Sequence, residues 1–214
     1  VVVPHLQALG VRRIDRLLLS HRDQDHTGGA DSVRAELPVV ETLASFGMPA
    51  QTACVAGAEW TFDGVRFSIL HPAADDYGAP RRSSNALSCV LRVESRGGAS
   101  LLLTGDLEGA GELALLRRYA ERPEALRADA VLAPHHGGRG ASGAAFVAAV
   151  APAHTLVSAG YRNPFGHPHR EALARYAASQ VWRTDRDGAL RLRLADAASV
   201  SAWRQTRARY WHGR

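Results

Sequence analysis

Four residues whose side chains are of metal-ligating type, His21, Asp23, Asp25 and His26, fall within six positions of this chain, directly after the apolar run Leu17-Leu18-Leu19. Imidazole and carboxylate are usual protein ligands of zinc, and carboxylate also suits harder ions such as manganese. A solvated polar loop would account for any one of these residues. Four at ligand spacing point instead to a metal site. His21, Asp23 and Asp25 alternate by two, so extended backbone would aim them to one side, and the adjacent His26 lets the last pair address a second centre. Ile14 to Leu19 reads as a buried strand. The cluster then sits on the loop at its carboxyl end, where α/β folds place their chemistry, and Gly28-Gly29 permits a tight turn into a helix.

A site for two ions needs more ligands. Ala99 to Leu103 reads as a second strand and ends in Thr104-Gly105-Asp106. Asp106 could bridge two ions or simply cap the helix expected over residues 108–120. Asp129 to Pro134 is a third strand, ending in His135-His136-Gly137-Gly138, and two adjacent imidazoles at a strand end rarely belong to a core. Thr155 to Ser158 is a fourth. It leads into a Gly/Pro-rich loop, residues 159–169, before a helix from about Arg170. His167 is the site candidate of that loop, and His169 reads as a helix cap.

Together these motifs resemble the metallo-β-lactamase-like domain of the ComEC family, the DNA-uptake channel proteins of competent bacteria. The likeness extends through Pro4-His5-Leu6 to Leu9-Gly10, Ser20 to Gly29, Trp60 with Asp63-Gly64-Val65, Asn85 with Ser88-Cys89-Val90-Leu91, Leu103 to Asp106, Pro134 to Gly137, Ser158 to His167 and Tyr210-Trp211-His212. It implies an α/β (α+β) fold, an αββα four-layer sandwich with two sheets face to face and helices outside, over residues 1–200, with a basic, aromatic tail over 201–214. It also implies a strand pair ahead of Val1, so the chain is expected to be an excised piece with an exposed sheet edge.

The activity implied is phosphodiester hydrolysis with two divalent ions, Mn²⁺ or Zn²⁺, held by His21, Asp23, Asp25, His26, Asp106 and one of the 135/136 pair. His136 is taken as that ligand, and the spacing allows His135 equally. The ions would activate a water that Asp25 orients or deprotonates, and His135 or His167 would protonate the leaving oxygen. The substrate implied is single-stranded DNA, the strand not imported during transformation. The partner is the rest of an inner-membrane channel, and the domain would face the periplasm. A non-catalytic DNA guide and a small-substrate esterase or lactonase are the alternatives.

Two departures from the family pattern matter. Asp23 stands where the wider superfamily carries a second His, which hardens the site. The superfamily's next His, expected between His26 and Asp106, is missing. His71 is the only candidate by type, at what reads as a strand end. Asn85 or Ser88 falls in the equivalent region and is read as a contact to a ligand, water or phosphate, or else as a turn and strand-start residue.

Composition, at 46% hydrophobic and 22% charged residues, suits a globular domain, and no apolar run approaches the ~18 residues that span a bilayer. The net charge of +5 is concentrated at the end of the chain: residues 181–214 hold eight Arg against three Asp. There Trp203, Tyr210 and Trp211 interleave with Arg204, Arg207 and Arg209. That pattern suits stacking and backbone contact on single-stranded nucleic acid, with Arg204 and Arg207 as phosphate contacts, and equally an arm that packs on the domain. Cys54 and Cys89 lack metal spacing and lie in strand-like surroundings. A disulfide between neighbouring strands and a pair of buried thiols are both open.

Overall fold

The computed structural model describes residues 2–47, 51–78 and 82–209. The strands are β1 Ile14–Leu19, β2 Val39–Ala44, β3 Thr52–Ala53, β4 Glu59–Phe62, β5 Val65–His71 and β6 Val90–Glu94. They continue with β7 Ser100–Leu103, β8 Ala130–Leu132, β9 His154–Val157, β10 Gln180–Arg183, β11 Leu190–Leu194 and β12 Ala198–Ala202. The helices are α1 Val2–Ala8, α2 Gln24–Thr27, α3 Ala30–Glu36 and α4 Gly109–Arg118. After them come α5 Ala144–Val150, α6 Arg170–Arg175, α7 Thr184–Asp187 and α8 Trp203–Thr206.

β1, β2 and β3 form a parallel three-stranded sheet in that order, and among the described residues β1 stands at its edge. A seven-stranded sheet runs β10-β9-β8-β7-β6-β5-β4. It is antiparallel from β4 to β7 and parallel from β7 to β10. Parallel neighbours need a crossover, and α4, α5 and α6 supply the three here. The carboxyl ends of β7, β8 and β9 therefore line one edge, so the Asp106, His135-His136 and His167 segments all emerge there.

Side-chain packing defines four layers. Leu43 and Cys54 of the smaller sheet meet Ile69, Cys89 and Leu91 of the larger one. The other face of the larger sheet presents Leu102, Val131 and Val157 to Leu115, Phe146 and Tyr176 of the α4–α6 layer. Behind the smaller sheet, Leu19 and Ala44 pack on Ala30 of α3. This is the αββα sandwich of the metallo-β-lactamase-like fold.

Cys54 and Cys89 are bonded to each other. They follow β3 and precede β6, so the bridge ties the two sheets together rather than neighbouring strands of one sheet. Its facing surfaces are the inner, apolar layer.

His71 is wholly buried at the end of β5. Its Nε2 lies 2.8 Å from the Ala86 carbonyl and its Nδ1 3.7 Å from Asp76. It belongs to a polar knot centred on Asp76, which accepts from Arg82 at 2.8 Å, Arg118 at 3.0 Å and the Ala73 amide at 2.8 Å. Burial pushes the Asp76 carboxyl up, but the Ala73 amide and Arg118 outweigh it, and the net direction is down. A depressed carboxyl stabilises the fold above the unfolded carboxylate range near ~3.9 and loses that contribution as pH falls through the folded value. Asp76→Ala should therefore cost about 3 kcal/mol at neutral pH, since it strands two partly buried guanidiniums. Urea unfolding at pH 7 and pH 3 should show the gap between variant and parent closing at the lower pH.

Candidate metal centre

Asp106 is the hub. Its side chain is 6% exposed, and Oδ1 lies 3.1 Å from His26 Nε2. Oδ2 lies 3.8 Å from His21 Nε2, 3.7 Å from His135 Nε2 and 3.8 Å from His136 Nε2. Capping is not its role, because the residue before α4 is Glu108. On one side Asp25, His26, Asp106 and His136 bring one ligand atom each within 4.8 Å of one another. On the other, His21 Nε2 lies 3.7 Å from Asp23 and 3.8 Å from Asp106.

The loop after β1 is only half extended. Asp23 is extended, and Gln24 to Thr27 then close into the helical turn α2, with the amides of His26 and Thr27 both 3.0 Å from the Asp23 carbonyl. That turn, rather than alternating extended backbone, brings Asp25 and His26 to the same centre. His135 and His136 sit at positive φ, 49° and 53°, ahead of Gly137 at 77°. Left-handed backbone costs a non-glycine residue roughly 1–2 kcal/mol, and here it turns two consecutive imidazoles back towards Asp106.

Acceptor-only partners at Nδ1 define the tautomers of His135 and His136, and the Ser20 hydroxyl permits the same tautomer in His21 and His26. His136 Nδ1 lies 2.9 Å from the Ser158 carbonyl, which only accepts, so that nitrogen carries a hydrogen. Glu108 accepts likewise from His135 Nδ1 at 2.8 Å. Ser20 Oγ lies 3.1 Å from the Nδ1 of both His21 and His26, and one hydroxyl oxygen can accept from both. All four rings then turn Nε2 towards Asp106, the orientation metal-binding histidines adopt. His21 Nε2 is buried with no hydrogen-bond partner, which is what a position awaiting a cation requires. The donor set of imidazole nitrogen and carboxylate oxygen thus fits divalent ions.

The electrostatics agree. Burial, followed by the neighbouring His26, holds His21 below the ordinary imidazole range, so it is neutral and able to ligate. His26 is pushed down by burial, but the hydrogen bond and charge of Asp106 prevail and its net direction is up. Asp106 is raised by burial and drawn lower overall by the His26 bond and the surrounding imidazoles.

His167 lies at the rim, its ring 5.4 Å from that of His135 and 6.4 Å from that of His136. Burial and then those two rings lower its pKa. His169 caps α6, accepting from the Glu171 amide at 3.3 Å, and is not part of the cluster. Asn85 opens a short turn, its carbonyl accepting from the Ser88 amide at 3.0 Å.

Reading Ser88 as a substrate contact needs correction. Its side chain is wholly buried. Its Oγ accepts from the Asp106 amide at 3.0 Å and lies 3.4 Å from His21 Nδ1, behind the cluster rather than in front of it. Ser88→Ala should weaken metal binding about 10- to 100-fold, as loss of a residue that orients ligands does, and leave folding largely intact. Metal titration followed by calorimetry checks this. Arg204 donates to the carbonyls of Asp185 and Arg186 at 3.4 and 3.0 Å through Nη1 and so fastens α8 to α7. Arg207 stands over the Trp203 ring, 5.0 Å from its centre. Tyr210 and Trp211 lie outside the described residues.

No family model matches the chain. Competence protein ComA of Neisseria gonorrhoeae is 38% identical over 199 residues, 90% of this chain and 27% of that protein. Recombination protein 2 of Haemophilus influenzae is 31% identical over 220 residues, 100% of this chain and 26% of that protein. ComE operon protein 3 of Bacillus subtilis is also 31% identical, over 90% of this chain and 26% of that protein. The chain belongs to the ComEC family of competence proteins, as a metallo-β-lactamase-like domain. It spans about a quarter of the length of those relatives. Among solved structures, a variant of the CmlA beta-hydroxylase matches with a TM-score of 0.52 at 14% identity, over 80% of this chain and 43% of that one, which is a likeness of fold alone.

Within this ComEC-family domain, Ser20, Ser88, Glu108 and the Ser158 carbonyl hold the imidazoles, and sequence reasoning did not assign those roles. Ser20 immediately precedes His21, which is the one local signal available. Ser88 and Glu108 meet their histidines only through the fold. No helix among the described residues is long and apolar enough to cross a membrane.

Proposed function

We propose that this domain is a metal-dependent phosphodiesterase that degrades single-stranded DNA at a DNA-uptake channel, the strand that does not enter. The observation that carries the reading is Asp106, shared between the Asp25, His26 and His136 group and the His21 and Asp23 group. These residues would hold divalent ions, which when bound would lower the pKa of a water and neutralise phosphate oxygens.

The chain's own residues then divide the work. Asp25, the most exposed carboxylate of the cluster at 63% side-chain exposure, reaches the solvent side and is placed to orient the attacking water. His167 at the rim is the proton donor for the leaving oxygen, and His135, whose Nδ1 is held by Glu108, serves as one only when its Nε2 also carries a proton. Asp23 adds a second carboxylate to the His21 side, favouring harder ions over an all-imidazole arrangement. The chemistry would take place in the periplasm, attached to a membrane-spanning channel, and the Cys54–Cys89 bridge supports such an oxidising compartment.

The test uses the 214-residue chain with Mn²⁺ or Zn²⁺, single-stranded DNA and a panel of simple esters and lactones, with Asp25→Ala in parallel. The expected result is DNA cleavage lost in the variant. Cleavage undiminished in Asp25→Ala would refute the assigned centre. DNA binding without cleavage would make the domain a guide, and turnover of esters alone would make it a small-substrate hydrolase.

A further inference from the structure

Beside the metal-ligating cluster lies a cleft of about 220 Å³, lined by Asp25, His136, Ser158, Asn163, Phe165 and His167. Its outer wall is the loop that follows β9. Among the described residues the two most exposed large apolar side chains of the chain, Phe165 at 79% and Tyr161 at 69%, both sit on that loop. The loop is braced. Asn163 Nδ2 donates to the carbonyls of Gly160 at 3.0 Å and His167 at 2.6 Å, while its Oδ1 accepts from the His167 amide at 3.0 Å. Phe165 is thereby held at the mouth of the cleft, its ring 6.0 Å from that of His167 and within 21° of parallel to it. The Arg162 guanidinium stands over Tyr161, 5.2 Å from the ring centre.

A flat, solvent-facing ring on a braced loop, one cleft's width from a carboxylate and imidazole cluster, is suited to stacking on a planar ligand. Aromatic rings and arginines in alternation are how proteins hold unpaired bases without reading sequence. The cleft is smaller than the ~300–1,000 Å³ of ordinary ligand pockets, so it admits one unit of a longer substrate and leaves the rest outside.

We propose that Phe165 is the stacking surface for one unpaired base of single-stranded DNA, with the adjoining phosphate directed towards Asp25 and His136. This rests on the phosphodiesterase reading and adds to it the residue that selects single strands. A base inside a duplex has both faces covered by its neighbours and cannot offer one to Phe165. Tyr161, with Arg162 beside it, receives the next nucleotide.

The experiment places 2-aminopurine, a base whose fluorescence is quenched by stacking, at each end of a single-stranded oligonucleotide in turn. It compares the parent chain with Phe165→Ala and Phe165→Trp. The expected result is quenching on binding from one end, lost in Phe165→Ala and kept in Phe165→Trp. Affinity should fall about 5- to 150-fold in Phe165→Ala, the factor one base stacked at ~1–3 kcal/mol represents. In parallel, kcat/KM should fall by a similar factor on the base-bearing strand and much less on an abasic strand of the same length. Equal losses on both strands, binding with equal quenching in Phe165→Ala, or no binding by the parent chain would each overturn the stacking role. Quenched binding with no hydrolysis in Mn²⁺ or Zn²⁺ would instead overturn the phosphodiesterase reading and support the stacking site.

Discussion

Replacing Asp106 with Ala is expected to weaken metal binding by more than ~100-fold and to abolish DNA cleavage, with the folded state retained. Loss of a residue that merely orients a ligand costs about 10- to 100-fold in metal affinity. Asp106 lies within 3.1 to 3.8 Å of four imidazole nitrogens, so its removal strips both halves of the centre at once. A second readout needs no metal. Asp106 is what raises His26 against its burial, so the His26 resonance in an NMR titration should shift at lower pH in the variant than in the parent. A raised imidazole stabilises the fold fully below the unfolded value near ~6.5 and loses that contribution as pH rises through the folded value. The stability difference between parent and variant should therefore be larger at pH 5 than at pH 9, where the His26 contribution is gone. Because a cation must displace the His26 proton, parent metal affinity should rise with pH over the imidazole range. An Asp106→Ala variant that holds metal and cleaves DNA like the parent would remove the hub from the centre.

The strand framework was legible from short apolar runs, Leu17-Leu18-Leu19 in β1 and Leu101-Leu102-Leu103 in β7, although β1 is mostly half-buried rather than buried. Ile14–Leu19 lies where its run predicts, and Ser100–Leu103 differs from its run by one residue. Asp106, His135-His136 and His167 emerge at one edge of the larger sheet by strand direction alone, and the His21–His26 loop reaches them from β1 of the smaller sheet, which needs the packing of the two sheets. What the sequence hid was conformation inside the motifs. The turn over Gln24–Thr27 is carried by backbone bonds to the Asp23 carbonyl, and a reading of Asp23 as a ligand gives no hint of them. The left-handed pair at His135 and His136 had one clue, the glycine that follows. Ser88 lies 67 positions from His21 and 18 from Asp106, and Glu108 lies 27 positions from His135. Separations of that size leave no local pattern to read. Only the fold brings these partners into contact.

Removing the bridge, with Cys54→Ala and Cys89→Ala together, should cost about 4 kcal/mol, the closure entropy of a loop spanning the 35-residue separation of the two cysteines. For a domain of this size that corresponds to a fall of roughly 8–16 °C in Tm. The effect should also reach the metal centre. The Cys89 amide donates to the Ser20 carbonyl at 2.7 Å, and Cys89 directly follows Ser88, the residue behind His21 and Asp106. On the other side of the bridge, the Cys54 amide donates to Ala44 at the end of β2 at 2.9 Å. The bridge therefore pins the floor of the His21 half to both sheets. On the proposed two-ion reading, loosening it should lower affinity at the His21 and Asp23 position more than at the Asp25, His26 and His136 position, so the two steps of a metal titration should lie further apart in the variant than in the parent. A lower Tm with an unchanged titration would confine the bridge to joining the sheets. Thiol labelling of the unreduced, unfolded parent is the control, since two reactive thiols would mean that no bridge exists to remove.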